Sequence, residues 1–124
     1  MKFASRTFTF AGIYGILLLA PYYFMEGMIS REMPPAITHP EFFYGFVGCA
    51  LAWQFAFLVV GRDPLRYRPL MIPAVFEKLS FGVAGIVLYS QHRIDVTTLA
   101  FAGIDFLLGL LFIASFFRCR PEQA

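Results

Sequence analysis

The chain has 124 residues, of which 59% are hydrophobic and 15% are charged, and its formal net charge is +2. Soluble domains contain roughly 45–50% apolar and about 25% charged residues, and so small a soluble core could not bury 16 Phe and 6 Tyr rings. This composition excludes an ordinary soluble domain. The small charge, with no basic run among aromatic residues, argues against a nucleic-acid binder.

Four apolar stretches follow one another along the chain, at residues 7–24, 42–60, 70–89 and 97–117. A helix needs about 20 apolar residues to cross the hydrocarbon core of a membrane. The first stretch is longer than the apolar region of a secretory signal, about 7 to 15 residues, and lacks a cleavage site with small residues. We therefore predict one uncleaved domain over 1–124, an all-α integral membrane four-helix bundle.

The first span and the loop after it contain residues for packing but no ligand motif. Gly12, Gly15 and Ala11 offer a surface for close helix approach, and Pro21 is expected to bend or end the helix. The loop carries methionines and His39, residue types that bind soft metals. Since they show no fixed ligand spacing, we predict neither a metal site nor a cofactor.

The second span is predicted to start with a capping box formed by Thr38 and Glu41, with Pro40 in the first turn. Gln54 interrupts the apolar run and must find partners within the protein, because an unpaired amide is costly in hydrocarbon. Small residues predict a further packing face on this span: Gly45, Gly48, Cys49 and Ala52. We expect Cys119, beyond the fourth span, to be a free thiol at the membrane edge.

The distribution of basic residues predicts the orientation. Three segments on one side (the N-terminus, the second loop and the C-terminus) carry Lys2, Arg6, Arg62, Arg66, Arg68, Arg118 and Arg120. The other two loops carry only Arg31 and Arg93. Because cytoplasmic loops are enriched in Lys and Arg, we predict a multi-pass, four-span membrane protein with both termini cytoplasmic.

The basic second loop has two interpretations. Arg62, Arg66 and Arg68 can contact anionic lipid head groups. Their role as determinants of topology would also account for them.

Polar residues enter every span, and helix rise converts their positions into depth. At 1.5 Å per residue, Tyr14, Gln54 and Glu77 lie roughly 10 Å from the cytoplasmic end of their spans, and Asp105 lies at roughly 18 Å. Lys78 follows Glu77 directly, and its long stem can bridge to Asp105, so we predict an ion pair between these two. Glu77 points about 100° away around the helix and has no obvious partner, so we expect that both side chains cannot aim at one point. One of the two is expected to reach toward the cytoplasmic interface instead; Glu77 is the shallower, and the start of the span decides which.

Two interpretations of these five residues remain open. They can form a satisfied network that fixes how the helices pack. Alternatively, they line a polar site that binds a ligand or relays protons, since ionisable residues inside a membrane are costly and usually functional.

Several segments resemble a family of small bacterial four-span membrane proteins of unassigned activity. They are residues 39–48, 52–54, 62–69 and 77–82, and the resemblance extends over roughly residues 38–117. The layout also resembles, more loosely, DoxX-like four-helix bundles. This resemblance implies the fold and a location in the bacterial inner membrane, and it supplies no catalytic residue.

The sequence favours a non-enzymatic accessory or interaction module with a polar intramembrane site. No nucleophile–base pair or phosphate-binding loop appears, and no catalytic residue is predicted. The alternatives are a proton- or cation-coupled small-molecule carrier acting as an oligomer and, less favoured, a lipid-modifying enzyme with Glu77 or Asp105 as general acid or base. Expected partners are membrane lipids, further copies of the chain or other membrane subunits, and not nucleic acid.

Overall fold

The computed structural model describes residues 2–120, which are helical with no strand. The helices are α1 (Lys2–Leu19), continued by a 3₁₀ turn over Ala20–Phe24, α2 (Glu26–Glu32), α3 (Pro40–Arg62), α4 (Met71–Ser90) and α5 (Val96–Arg118). A second 3₁₀ turn, Arg68–Leu70, leads into α4. α1, α3, α4 and α5, with their adjoining turns, are long and apolar enough to cross a membrane, which confirms the predicted all-α four-helix architecture.

The helix ends differ from the predictions in three places. α1 begins at Lys2, well before the apolar stretch, and the short helix α2 occupies a loop for which no helix was predicted. The capping box is wrong: the residue preceding α3 is His39, which makes no side-chain capping bond. Pro40 explains this, because proline is favoured at the first helical position and therefore makes its predecessor the cap.

Asp95 caps the N-terminus of α5. Its Oδ1 accepts a hydrogen bond from the backbone N–H of Thr98 at 3.0 Å. Hydrogen bonds from the side chain and backbone of Thr98 lower the pKa of Asp95 below its ordinary value of 3.8. The carboxylate thus stays ionised at the positive end of the helix dipole.

The four long helices form two antiparallel pairs. α1 packs along α3, and α4 packs along α5. The pairs meet mainly where α1 contacts α5, with a smaller contact between α3 and α4. The bundle is therefore two tightly joined hairpins with a looser boundary between them.

Glycines allow the helices of each pair to approach closely. A Cβ on Gly15 would overlap the side chain of Gln54, and one on Gly82 would lie 2.9 Å from the backbone of Phe106. The packing surface predicted for α1 is confirmed. The one predicted for α3 is largely wrong, because Gly45 has open space around it and Cys49 is exposed.

Three phenylalanines from three helices form the centre of the core. The ring of Phe8 stacks on Phe112 with centroids 4.0 Å apart, and Phe57 meets Phe112 edge to face at 5.0 Å. All three are fully buried. Cys119 is a free thiol, as predicted, but it is fully buried. It belongs to the same buried cluster as the three rings, and its position at the membrane edge stays a prediction.

Large apolar side chains cover the outside of the bundle. Exposed examples from all four long helices are Phe10, Leu17, Phe42, Phe46, Phe76, Ile86, Leu107 and Leu110. Soluble proteins rarely expose contiguous apolar patches larger than a few hundred Å². This surface is suited to hydrocarbon and supports assignment as a multi-pass membrane protein.

The glycine contacts generate a stability prediction. Gly82→Ala should lower the melting temperature in detergent, because the added methyl meets backbone atoms of Phe106 and overpacking costs about 1–3 kcal/mol. Gly103→Ala is the matched control, since a Cβ there meets no atom within 4 Å. It should leave stability unchanged or raise it by about 0.5–1 kcal/mol, because alanine is the better helix former. Circular dichroism melting curves measure both, and equal melting temperatures would contradict the close packing.

Candidate functional site

A buried lysine lies at the centre of the predicted polar residues. Lys78 on α4 is 3% exposed. Its Nζ lies 3.5 Å from Oδ1 of Asp105 on α5 and 3.7 Å from Oε2 of Glu77. The close approach at Gly82 and Phe106 positions these groups, because it brings the helix segment carrying Asp105 against α4.

The ion pair between Lys78 and Asp105 is present as predicted. The expectation for Glu77 is wrong: its carboxylate is directed toward Lys78 and its side chain is 19% exposed. The two side chains leave the helix about 100° apart, but the long lysine stem carries the ammonium to a point that both carboxylates reach. One cation therefore faces two anions.

Gln54 and Tyr14 bring the first helix pair to the same place. The buried amide of Gln54 lies against Gly15, and its Nε2 donates to the carbonyl of Ala50 at 2.7 Å. Glu77 interacts electrostatically with Gln54 as well as with Lys78 and Asp105. The hydroxyl of Tyr14 on α1 is coupled in the same way to Asp105. All four spans thus contribute to one cluster, as depth counting indicated.

Three buried oxygens of this cluster have no hydrogen-bond partner within residues 2–120. They are Oη of Tyr14, Oε1 of Gln54 and Oε2 of Glu77. A buried polar atom left unsatisfied costs about 1–3 kcal/mol. They come from three helices, α1, α3 and α4, and a fully satisfied packing network would leave no such acceptor unpaired.

An aromatic wall borders the cluster on one side. The ammonium of Lys78 lies over the ring of Phe57, 5.2 Å from its centroid, and Phe57 belongs to the buried group with Phe8 and Phe112. This cation–π contact was not predicted. The available signal was spacing, since Phe57 follows Gln54 by three residues and lies on the same helix face.

The cluster carries an excess of negative charge. Two carboxylates and one ammonium sum to −1 when all three are ionised. An uncompensated charge is costly inside a membrane. The arrangement is therefore suited to accept one further positive charge at the oxygens that lack a hydrogen bond.

The three arginines predicted to contact lipid differ in their surroundings. Arg62 ends α3 and is exposed, and exposed Arg66 lies 5.5 Å from the ring centroid of Tyr67. Arg68 instead folds back onto α5, where its Nε donates to the carbonyl of Phe116 at 3.0 Å. Contact with head groups stays a prediction for all three, and Arg68 alone is fixed against the bundle.

Comparisons with protein-family models, curated proteins and solved structures returned no match. The described residues contain no group of three or more His, Cys, Asp or Glu side chains arranged to hold a metal ion. The chemistry of the site must therefore be inferred from its own side chains.

The charge arrangement predicts an order of stabilities. Lys78→Met should lower the free energy of unfolding by about 3–5 kcal/mol, more than any other single change in the cluster, because it leaves two buried carboxylates without their cation. Glu77→Gln should lower the free energy of unfolding much less, since it removes the surplus negative charge and keeps the shape of the side chain. Adding Asp105→Asn to Lys78→Met should restore part of the loss.

Denaturant unfolding of the purified chain in detergent measures these differences. Lys2→Met is the control for loss of a lysine at an exposed position. If Lys78→Met unfolds at the same denaturant concentration as the wild type, the ammonium does not organise the cluster.

Proposed function

We propose that this protein is a non-enzymatic integral membrane protein, an accessory or interaction module that binds a small cationic species inside its helix bundle. The observation that carries the proposal is the convergence of Tyr14, Gln54, Glu77, Lys78 and Asp105 from all four long helices. Three of their oxygens are buried without a hydrogen-bond partner in the described residues. No cysteine, serine or histidine takes part in this described cluster, which favours binding over covalent catalysis.

The charge balance narrows the ligand to a proton or a small monovalent cation. A further positive charge would neutralise the net −1 of the three ionised groups. The unpartnered atoms are all oxygens, the ligand type that hard cations prefer. Glu77 is the residue on which we place this charge, because Lys78 donates a hydrogen bond to Asp105 whereas Oε2 of Glu77 has no hydrogen-bond partner.

A second candidate is a proton- or cation-coupled carrier of a small molecule. The same surplus charge favours it, since an intramembrane carboxylate that exchanges a cation is a common element of coupled transport. Four spans enclose little space, so such a carrier would act as an oligomer. A lipid-modifying enzyme is less favoured because the cluster offers acids without a nucleophile.

The proposed location is the inner membrane of a bacterium, with both termini cytoplasmic. The support is the excess of Lys and Arg on the side of the termini and second loop. The similarity to small bacterial four-span proteins and, more loosely, to DoxX-like bundles is part of the same proposal. Partners would be lipids, further copies of this chain or other membrane subunits.

Cation binding is tested by thermal unfolding of the purified chain in detergent. Wild type should be stabilised by Na⁺ or K⁺ relative to equal ionic strength of choline, or by added protons, because a ligand that binds only the folded state raises its stability. Glu77→Gln should remove this response. Glu32→Gln, an exposed acid outside the spans, should retain it, and an equal response in both variants would contradict the proposal.

Liposome flux separates the two candidate functions. The wild type, Glu77→Gln and Asp105→Asn are reconstituted, and proton or cation movement is followed with an internal dye. Flux in the wild type that falls at least tenfold in either variant supports the carrier. Equal flux in all three excludes the carrier and leaves the binding module.

The accessory role is tested by what co-purifies with the protein from native membranes. Extraction from native membranes should yield the chain together with further copies, another subunit or retained lipid, measured by native mass spectrometry. A bare monomer would count against an interaction module.

A further inference from the structure

An apolar groove opens on the side of the bundle between the start of α4 and the end of α5. Its volume is about 150 Å³, and its lining residues, which include Ile72, Val75, Phe76, Phe116 and Phe117, are all apolar. Phe76 and Ile72 are 73% and 51% exposed, so the groove opens on the surface that faces hydrocarbon. It lies at the end of the spans that carries the basic loop.

A cation is fixed at the edge of this groove. The guanidinium of Arg68 lies over the ring of Phe116, 3.7 Å from its centroid, while its Nε donates to the carbonyl of the same residue. Phe116 is itself a groove residue. The apolar wall of the groove and the positive charge of Arg68 are therefore parts of one contiguous surface.

The hydrogen bond to Phe116 uses only one of the N–H donors of Arg68. Its two Nη groups make no hydrogen bond to any residue in 2–120. A guanidinium presents its N–H groups in a rigid fork that matches the oxygens of a phosphate. The hydrogen bond to the end of α5 uses the Nε donor of Arg68 only. The Nη groups, which form the part of the fork that recognises an anion, are not used by it.

The size of the groove limits what it can hold. Pockets that enclose a whole small molecule measure about 300–1,000 Å³, so 150 Å³ fits a segment of one alkyl chain. A ligand with an alkyl chain at hydrocarbon depth and an anionic group at the interface matches both parts of the surface. A helix from a second copy would cover the apolar part and leave the fork of Arg68 unmatched.

We propose that this surface is a binding site for one anionic phospholipid, with an acyl chain in the groove between α4 and α5 and the phosphate on Arg68. The lipid belongs to the leaflet that adjoins the basic loop. The site is separate from the polar cluster and does not depend on the function proposed for it.

The test uses the full chain in dodecyl maltoside micelles doped with phosphatidylglycerol or with phosphatidylcholine of the same acyl chains. Thermal unfolding is followed by circular dichroism, and bound lipid is counted by native mass spectrometry. We expect phosphatidylglycerol to raise the melting temperature and to be retained as one tight adduct, whereas phosphatidylcholine does neither. Glycerol 1-phosphate serves as the free head group and should have no effect.

Two variants address the two halves of the site. Arg68→Gln should weaken phosphatidylglycerol binding by about tenfold, the range for a lost hydrogen bond to a charged group. Ile72→Trp fills the groove from an exposed position and should also remove the adduct. Arg62→Gln in the same loop and Ile86→Trp on the same helix outside the groove are matched controls and should bind as the wild type does.

Three outcomes would overturn the proposal. If Arg62→Gln and Arg68→Gln weaken binding equally, the lipid responds to interfacial charge in general. If Ile72→Trp changes the oligomeric mass and phosphatidylglycerol has no effect on the wild type, the groove is a contact between copies of the chain. Stabilisation by glycerol 1-phosphate equal to that by the lipid would exclude a role for the acyl chain.

Discussion

The ammonium of Lys78 is enclosed by the bundle and bound on two sides by Asp105 and Glu77. Inside hydrocarbon, where each charge costs about 2.5–3.5 kcal/mol on insertion scales, such a group has to be paired within the protein. This requirement sets the register of α4 against α5, because sliding either helix by one turn would separate Lys78 from Asp105 by about 5 Å. The glycine contacts supply the close approach, and the ion pair specifies its register.

The polar cluster lies where the two helix pairs meet, and this location relates its chemistry to the architecture. Gln54 and Tyr14 come from the α1–α3 pair, whereas the three charged groups come from the α4–α5 pair. The contact between α3 and α4 is small compared with the contacts within each pair. The groups that bear the surplus charge are thus held rigidly by one hairpin, while the amide and phenol that face them are held by the other.

The sequence predicted the four helices and the pairing of Lys78 with Asp105, because apolar length and helix rise depend only on position along the chain. It did not predict the direction of Glu77, the burial of Cys119 or the role of Phe57. Those depend on which neighbouring helix lies opposite each side chain, and periodicity within one helix does not contain that information. The packing faces illustrate the difference: small residues predicted the contact on α1 correctly, whereas a similar set on α3 is exposed.

The pairing of Lys78 with Asp105 lies within a single hairpin, and this has a consequence for how the chain enters the bilayer. Consecutive spans leave the insertion machinery in order, so α4 and α5 can cross to the lipid together with their opposite charges already neutralised. Of the two carboxylates beside Lys78, Glu77 is the one that this pair does not balance. Glu77 lies beside Gln54 only where the α1–α3 pair packs against this hairpin, so the polar site is complete only when both pairs are in the membrane and joined.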